Sequence, residues 1–223
     1  IKKAIKFQEK AVEVYEKTLP KNGLGILSGY SSLGYYNFLS ENYKTARYWY
    51  EKILRVETTQ ENEYFKTITV DNLADTYLPN DPKKAKVLYD QTLKTLSNKY
   101  GEKHRVTLGS HKRLSKYYKE AANYDSAIYH LNRARDLITE TNGIKSLQYA
   151  NISLDYASLL HSQKRYYEAI KKTDEAINAI TAFQYATDDI KTVIEKTSRL
   201  NRIDLAKAYF AKARTLNSIN KTS

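Results

Sequence analysis

The chain has 223 residues, of which 41% are apolar and 28% charged, and a formal net charge of +12. This balance argues against disorder, and the absence of cysteine excludes disulfides, thiolate metal sites and cysteine nucleophiles. Seven glycines and three prolines are too few to punctuate a many-stranded β protein, and no run approaches the ~18 consecutive apolar residues of a membrane span.

The first predicted helix carries Ala4 and Ala11, seven residues apart. It reads as the second helix of a truncated unit (residues 1–20), and a chain opening at Ile1 inside a helical pattern is expected to be a fragment or processed form. The glycine cluster Gly23, Gly25, Gly29 follows no strand and lacks dinucleotide-loop spacing, so it reads as an inter-repeat loop.

The segment from Tyr30 to Ile53 then sets a pattern. Leu33-Gly34 lies on one predicted helix, Ser40-Glu41-Asn42-Tyr43 forms a turn, and Ala46 and Tyr50 share one face of the next helix. In the second unit Leu73-Ala74 precedes the turn Pro79-Asn80-Asp81-Pro82, with Ala85 and Tyr89 after it. Asp81 is suited to the N-cap and Pro82 to the first helical position. The third unit reads Leu114-Ser115, Asn123-Tyr124, then Ala127, Leu131 and Ala134. The fourth reads Tyr156-Ala157, Lys164-Arg165-Tyr166, then Ala169 and Ala176. A last, degenerate capping unit (185–223) pairs a helix over 189–200 with one carrying Ala206, Phe210 and Ala213 at second-helix spacing.

Ala4, Ala46, Ala85, Ala127 and Ala169 are separated by steps of 42, 39, 42 and 42 residues, and Ala206 follows after 37. Such a period marks stacked helical repeats. Gly34, Ala74, Ser115 and Ala157 form a second, small-residue series, expected to face the alanines where paired helices cross.

The series of aromatic, Leu-Gly, Tyr, Ala, Tyr/Phe, Ala resembles the tetratricopeptide repeat (TPR). The period near 42 resembles the long repeats of kinesin light chains and of bacterial TPR arrays, and Tyr100-Gly101-Glu102-Lys103-His104-Arg105-Val106-Thr107 resembles their inter-repeat linker. The resemblance implies an all-α, right-handed α-solenoid: a single array over residues 1–223 with about five helix pairs, belonging to a larger bacterial protein. It also implies a concave groove lined by the first helices. Carried over by register, the groove takes Ser31, Tyr35 and Phe38, then Asp71, Asp75 and Leu78. It continues with Lys112, Lys116 and Lys119, and ends with Leu154, Ser158 and His161.

Lys112 and Lys116 lie one turn apart, with Arg113 beside them. This basic stripe suits an acidic peptide segment or a terminal carboxylate. The alternative use of these charges is pairing of Asp71 and Asp75 with Lys112 and Lys116 across neighbouring repeats. The chaperone-type carboxylate clamp is not matched, since Gly109 and Tyr35 stand where a basic residue and an asparagine belong.

No catalytic constellation is found. His104, His111, His130 and His161 show no i, i+4 pairing, so neither metal nor cofactor is expected. His104 is expected to order its linker, and Asp188-Asp189 read as helix-start acids. Trp49 and the 21 tyrosines read as packing residues. From Lys191 to Ser223 eight Lys/Arg residues face only Glu195 and Asp204. No stacking aromatics interleave them as single-strand binders require, so nucleic acid is disfavoured. The expectation is a non-enzymatic protein–protein interaction scaffold, with the cytoplasm the favoured compartment. The rivals are a regulatory segment of a signalling enzyme or transcription regulator, and nucleic-acid binding through the basic C-terminal helices.

Overall fold

Turn chemistry decides where each helix begins and ends. In the computed structural model, which describes residues 1–187 and 199–221, the described residues form α-helices, one short 3-10 turn and no strand. The chain divides into two compact units, Ile1–Glu102 and Lys103–Ser223.

The first unit holds α1 (Lys2–Thr18), α2 (Leu24–Leu39), α3 (Tyr43–Arg55), α4 (Glu63–Tyr77) and α5 (Pro82–Tyr100). The second opens with a 3-10 turn over Arg105–Thr107. It continues with α6 (Leu108–Glu120), α7 (Tyr124–Asn142), α8 (Leu147–Ser162), α9 (Tyr166–Thr187) and α10 (Arg199–Asn220). The pairs are α2–α3, α4–α5, α6–α7 and α8–α9, each packed on the next pair within its unit.

Asp81 caps α5 as expected, its carboxylate accepting the Lys84 N–H at 3.0 Å with Pro82 opening the helix. Asn123 and Ser146 do the same for α7 and α8. Gly101 ends α5 at φ +90°, a conformation that costs glycine nothing. His104 then accepts the Val106 N–H through Nδ1, and the buried Thr107 hydroxyl donates to the His104 carbonyl at 2.8 Å. The linker motif is thus a helix stop followed by a self-bonded turn. Inside the pairs, Glu41, Ala122 and Lys164 occupy the left-handed region at φ 55–61°, each seven residues after Gly34, Ser115 and Ala157. Proline at position 82 gives the second pair a different turn, and no left-handed residue occurs there.

The alanine ladder is fully buried from Ala46 through Ala85 and Ala127 to Ala169, and so are the residues four further on, Tyr50, Tyr89, Leu131 and Thr173. Gly34 lies under the Tyr50 ring, not opposite Ala46: a Cβ built there would come within 2.5 Å of Tyr50 Cε1. Gly34 therefore makes room for the residue four positions after the alanine. Complete burial of one such side chain is worth about 1.5–3 kcal/mol. Trp49 stacks on Tyr30, whose hydroxyl donates to Glu16 at 2.9 Å; Lys52 bonds the same carboxylate at 2.6 Å and lies over both rings, tying α1, α2 and α3 together. Lys52 and the Tyr30 hydroxyl hold the Glu16 carboxyl below its usual range.

The last helix departs from its expected register. In α10 the packed residues are Ala208, joined to Ala150, Ala176, Ala179 and Ile180, and Thr215. Ala206, Phe210 and Ala213, expected as the packing series, point outward, with Phe210 73% exposed. Helix α10 packs on both α8 and α9, the relation α4 bears to α2 and α3, so it stands where a first helix would, not a second. Residues 189–200, expected as the first helix of this unit, lie almost wholly outside the described residues.

Candidate functional site

The basic residues selected by register converge in the second unit. Lys112, Arg113, Lys116 and Lys119 of α6 and Asp155 and Ser158 of α8 line one cavity of about 360 Å³, floored by Leu131 and Leu159. They share a face because positions three and four apart lie together on a helix. Four cations and one carboxylate give this cavity a strongly positive potential. Lys112 reaches Asp155 at 3.4 Å, and Lys119 donates to the Ser158 hydroxyl at 3.0 Å. Lys116 stands exposed. Gly109 lies beside the stripe, where a Cβ would stand 3.3 Å from Arg113 Nη1.

A second cavity, about 310 Å³, shares Lys119 and Ser158 as a wall and continues along α8 to α10. Its floor is apolar, from Leu154 and Ala157 on α8 and Phe210 and Ala211 on α10, with His161 and Arg214 on its rim. His161 Nε2 lies 3.1 Å from Ser218 Oγ, and the ring meets Tyr166 edge-on. Burial and then the Arg214 charge hold His161 below its usual pKa, favouring the neutral ring.

The groove residues placed in the first unit have other surroundings. Tyr35 is exposed and lies against Tyr36, whereas Phe38 is half-buried against Tyr43 and the core. Asp71 is only 2% exposed, and Asp75 accepts the Tyr89 hydroxyl at 2.6 Å. Asp75 is thus bonded within its own helix pair, and Asp71 is buried.

Asp155, Phe210 and Arg214 were not among the residues selected from sequence. Asp155 sits beside the selected Leu154 on the same turn. Phe210 and Arg214 were hidden by the misassigned register of α10. The histidines also hold a surprise. His111 and His130, 19 residues apart, meet with their Nδ1 atoms 3.0 Å apart inside α6–α7, and Tyr118 stacks on His130. Burial, then His130, then Arg133 push His111 down to about 4. Among the described residues no group of three or more His, Asp and Glu side chains is placed to hold a metal ion, and no helix is long and apolar enough to cross a membrane.

No protein-family profile and no curated relative matches the chain. Solved structures do. BtubC (BKLC) from P. vanneervenii matches 98% of this chain and 92% of its own, with a TM-score of 0.66 and 15% identity. Two crystal structures of nearly identical TPR-like repeats, from a kinesin light chain candidate of Podosopora anserina, match 82% and 89% of this chain with TM-scores of 0.61 and 0.57, each at 16% identity. At this identity the likeness concerns the fold, and the fold is that of a TPR-like repeat protein, an all-α solenoid of antiparallel helix pairs.

Proposed function

We propose that this chain is a non-enzymatic interaction scaffold that binds an acidic peptide segment of a protein partner along α6, α8 and α10. TPR-like repeats commonly mediate protein–protein interaction, and stacked repeats work by presenting extended surfaces. The observation that carries the finer reading is the convergence of Lys112, Arg113, Lys116 and Lys119 on one cavity whose lining includes a single acid. An incoming carboxylate would displace Asp155 from Lys112, exchanging one exposed ion pair for another at little cost, and would add charge-assisted hydrogen bonds from Lys116 and Arg113.

The test is a titration of a fluorescein-labelled Asp/Glu-rich peptide into the wild-type chain and into the Lys112→Glu/Lys116→Glu variant. The expected result is a loss of roughly tenfold or more in affinity with unchanged helicity, because both side chains are surface groups. Equal affinities would remove the cavity from the binding site. A mobility-shift series with single- and double-stranded DNA, run in parallel over a salt gradient, would replace this reading if it showed tight, steeply salt-dependent binding.

A further inference from the structure

Helix α10 carries an apolar face that begins at the edge of the groove, with Phe210 common to both and the rest outside it. Tyr209, Phe210 and Leu216 are 55%, 73% and 44% exposed, and Ala206 and Ala213 lie exposed among them. Isolated exposed apolar residues need no explanation, but a continuous face of this kind marks an interaction surface. Its spacing is that of the chain's own helix seams. The series alanine, residue four on, residue seven on is buried to within 2% in α3 (Ala46, Tyr50, Ile53), α5 (Ala85, Tyr89, Thr92), α7 (Ala127, Leu131, Ala134) and α9 (Ala169, Thr173, Ala176). In each of those helices it is a seam closed by neighbouring helices. In α10 the same series, Ala206, Phe210, Ala213, is open, while the opposite face (Ala208, Thr215) continues the α8–α9 stack.

The edge of this open seam is charged with one sign. Lys207, Arg214 and Lys221 recur at seven-residue intervals and are exposed, so they line one flank of the helix and its last turn. The acid on the described part of the helix, Asp204, is on the inner side of Lys207 and bonded to it at 2.9 Å. We infer that the outer face of α10 is a docking surface for one amphipathic helix of a protein partner, its apolar stripe closing the Ala206–Phe210–Ala213–Leu216 seam and its acidic row meeting Lys207, Arg214 and Lys221. A second copy of this chain is the poorer occupant, because its own α10 would bring the same three cations against them. This surface adjoins the peptide groove at Phe210 and Arg214, but Ala206, Lys207, Ala213, Leu216 and Lys221 line neither cavity, so it goes beyond that reading.

The probes are two designed helical peptides of roughly three heptads with an identical Ala/Leu stripe, one with Glu and one with Lys at seven-residue spacing along the flank. Each is titrated into the full chain by fluorescence anisotropy. The Glu peptide is expected to bind roughly tenfold or more tighter than the Lys peptide. Ala213→Asp/Leu216→Asp, at exposed positions that line neither cavity, abolishes binding with helicity unchanged. Lys207→Glu/Lys221→Glu removes or reverses the preference between peptides, whereas Lys112→Glu/Lys116→Glu leaves it intact. Equal binding of the two peptides, or binding indifferent to Ala213→Asp/Leu216→Asp, overturns the inference. So does sedimentation showing a wild-type dimer that Ala213→Asp/Leu216→Asp converts to monomer, which would assign the face to a second copy.

Discussion

The α4–α5 pair and the α6–α7 pair share one frame and use their polar residues in opposite ways. In α4–α5 the second helix supplies the fully buried Tyr89, whose hydroxyl reaches back to Asp75; Asp71, one turn earlier, is buried as well. At the same two positions α6 carries Lys116 and Lys112, and α7 carries Leu131, which lines the same cavity and offers no hydroxyl. The lysine stems run out along the surface and keep their charges in water. Polarity enters the interior of α6–α7 at another level, where His111 and His130 replace Val70 and Leu88 of the preceding pair. What the second helix presents therefore bears on whether a polar residue on the first helix is held inside the pair or left at its surface.

The largest expected effect separates the units by pH. His111 is held down to about 4, so between its unfolded value near 6.5 and 4 the unfolded chain binds a proton that the folded chain refuses. Stability is full above pH 6.5 and falls as pH drops through this window, by about 3 kcal/mol at pH 4 at ~1.4 kcal/mol per pH unit. Roughly two thirds of that loss comes above pH 5, where carboxylates remain ionised. Trp49, the one tryptophan, lies in the first unit and reports on it alone. Helicity by circular dichroism is expected to fall with acid before Trp49 fluorescence changes. His111→Asn, which retains a hydrogen-bonding group near Nδ1 but does not titrate, should flatten the transition. Coincident transitions in the wild type would show that the histidine pair does not distinguish the units.

Next in size is a volume exchange that extends the contrast to α2–α3. Gly34 lies against Tyr50, whereas α6–α7 carries Ser115 and Leu131 at the same register positions. Gly34→Ser places a Cβ against the Tyr50 ring and is expected to cost about 1–3 kcal/mol in chemical denaturation. Adding Tyr50→Leu recreates the α6–α7 combination and should recover a large part of the loss. If Gly34→Ser is neutral, the small series is not there to seat the ring.

Much of this frame was legible in the sequence because it rests on local or periodic signals. The buried alanines, the small-residue register and the Asp81 cap each depend on spacing along one helix or across one short turn. The features that were missed depend on rotation between helices. Nothing in a 19-residue separation says that His111 and His130 share an interior. Helix α10 has two apolar stripes of equally good helical period, one through Ala206, Phe210 and Ala213 and one through Ala208, Ala211 and Thr215, so periodicity alone does not choose the inward one. The groove register selected Asp75 and Lys116 alike, and only the identity of the opposing residue, Tyr89 or Leu131, separates them.

That last difference gives the smallest and most specific prediction. Removing the hydroxyl in Tyr89→Phe deprives the Asp75 carboxylate of a donor at 2.6 Å while leaving the ring and its packing in place. The expected cost is about 1 kcal/mol, the net worth of one protein hydrogen bond. It would be read as a lowered denaturation midpoint at constant slope. A double-mutant cycle with Asp75→Asn isolates the pair, since contacts that each residue makes elsewhere cancel. A coupling near zero would mean that Asp75 does not depend on Tyr89. The exchange of Tyr89 for Leu131 would then no longer account for the different surroundings of Asp75 and Lys116.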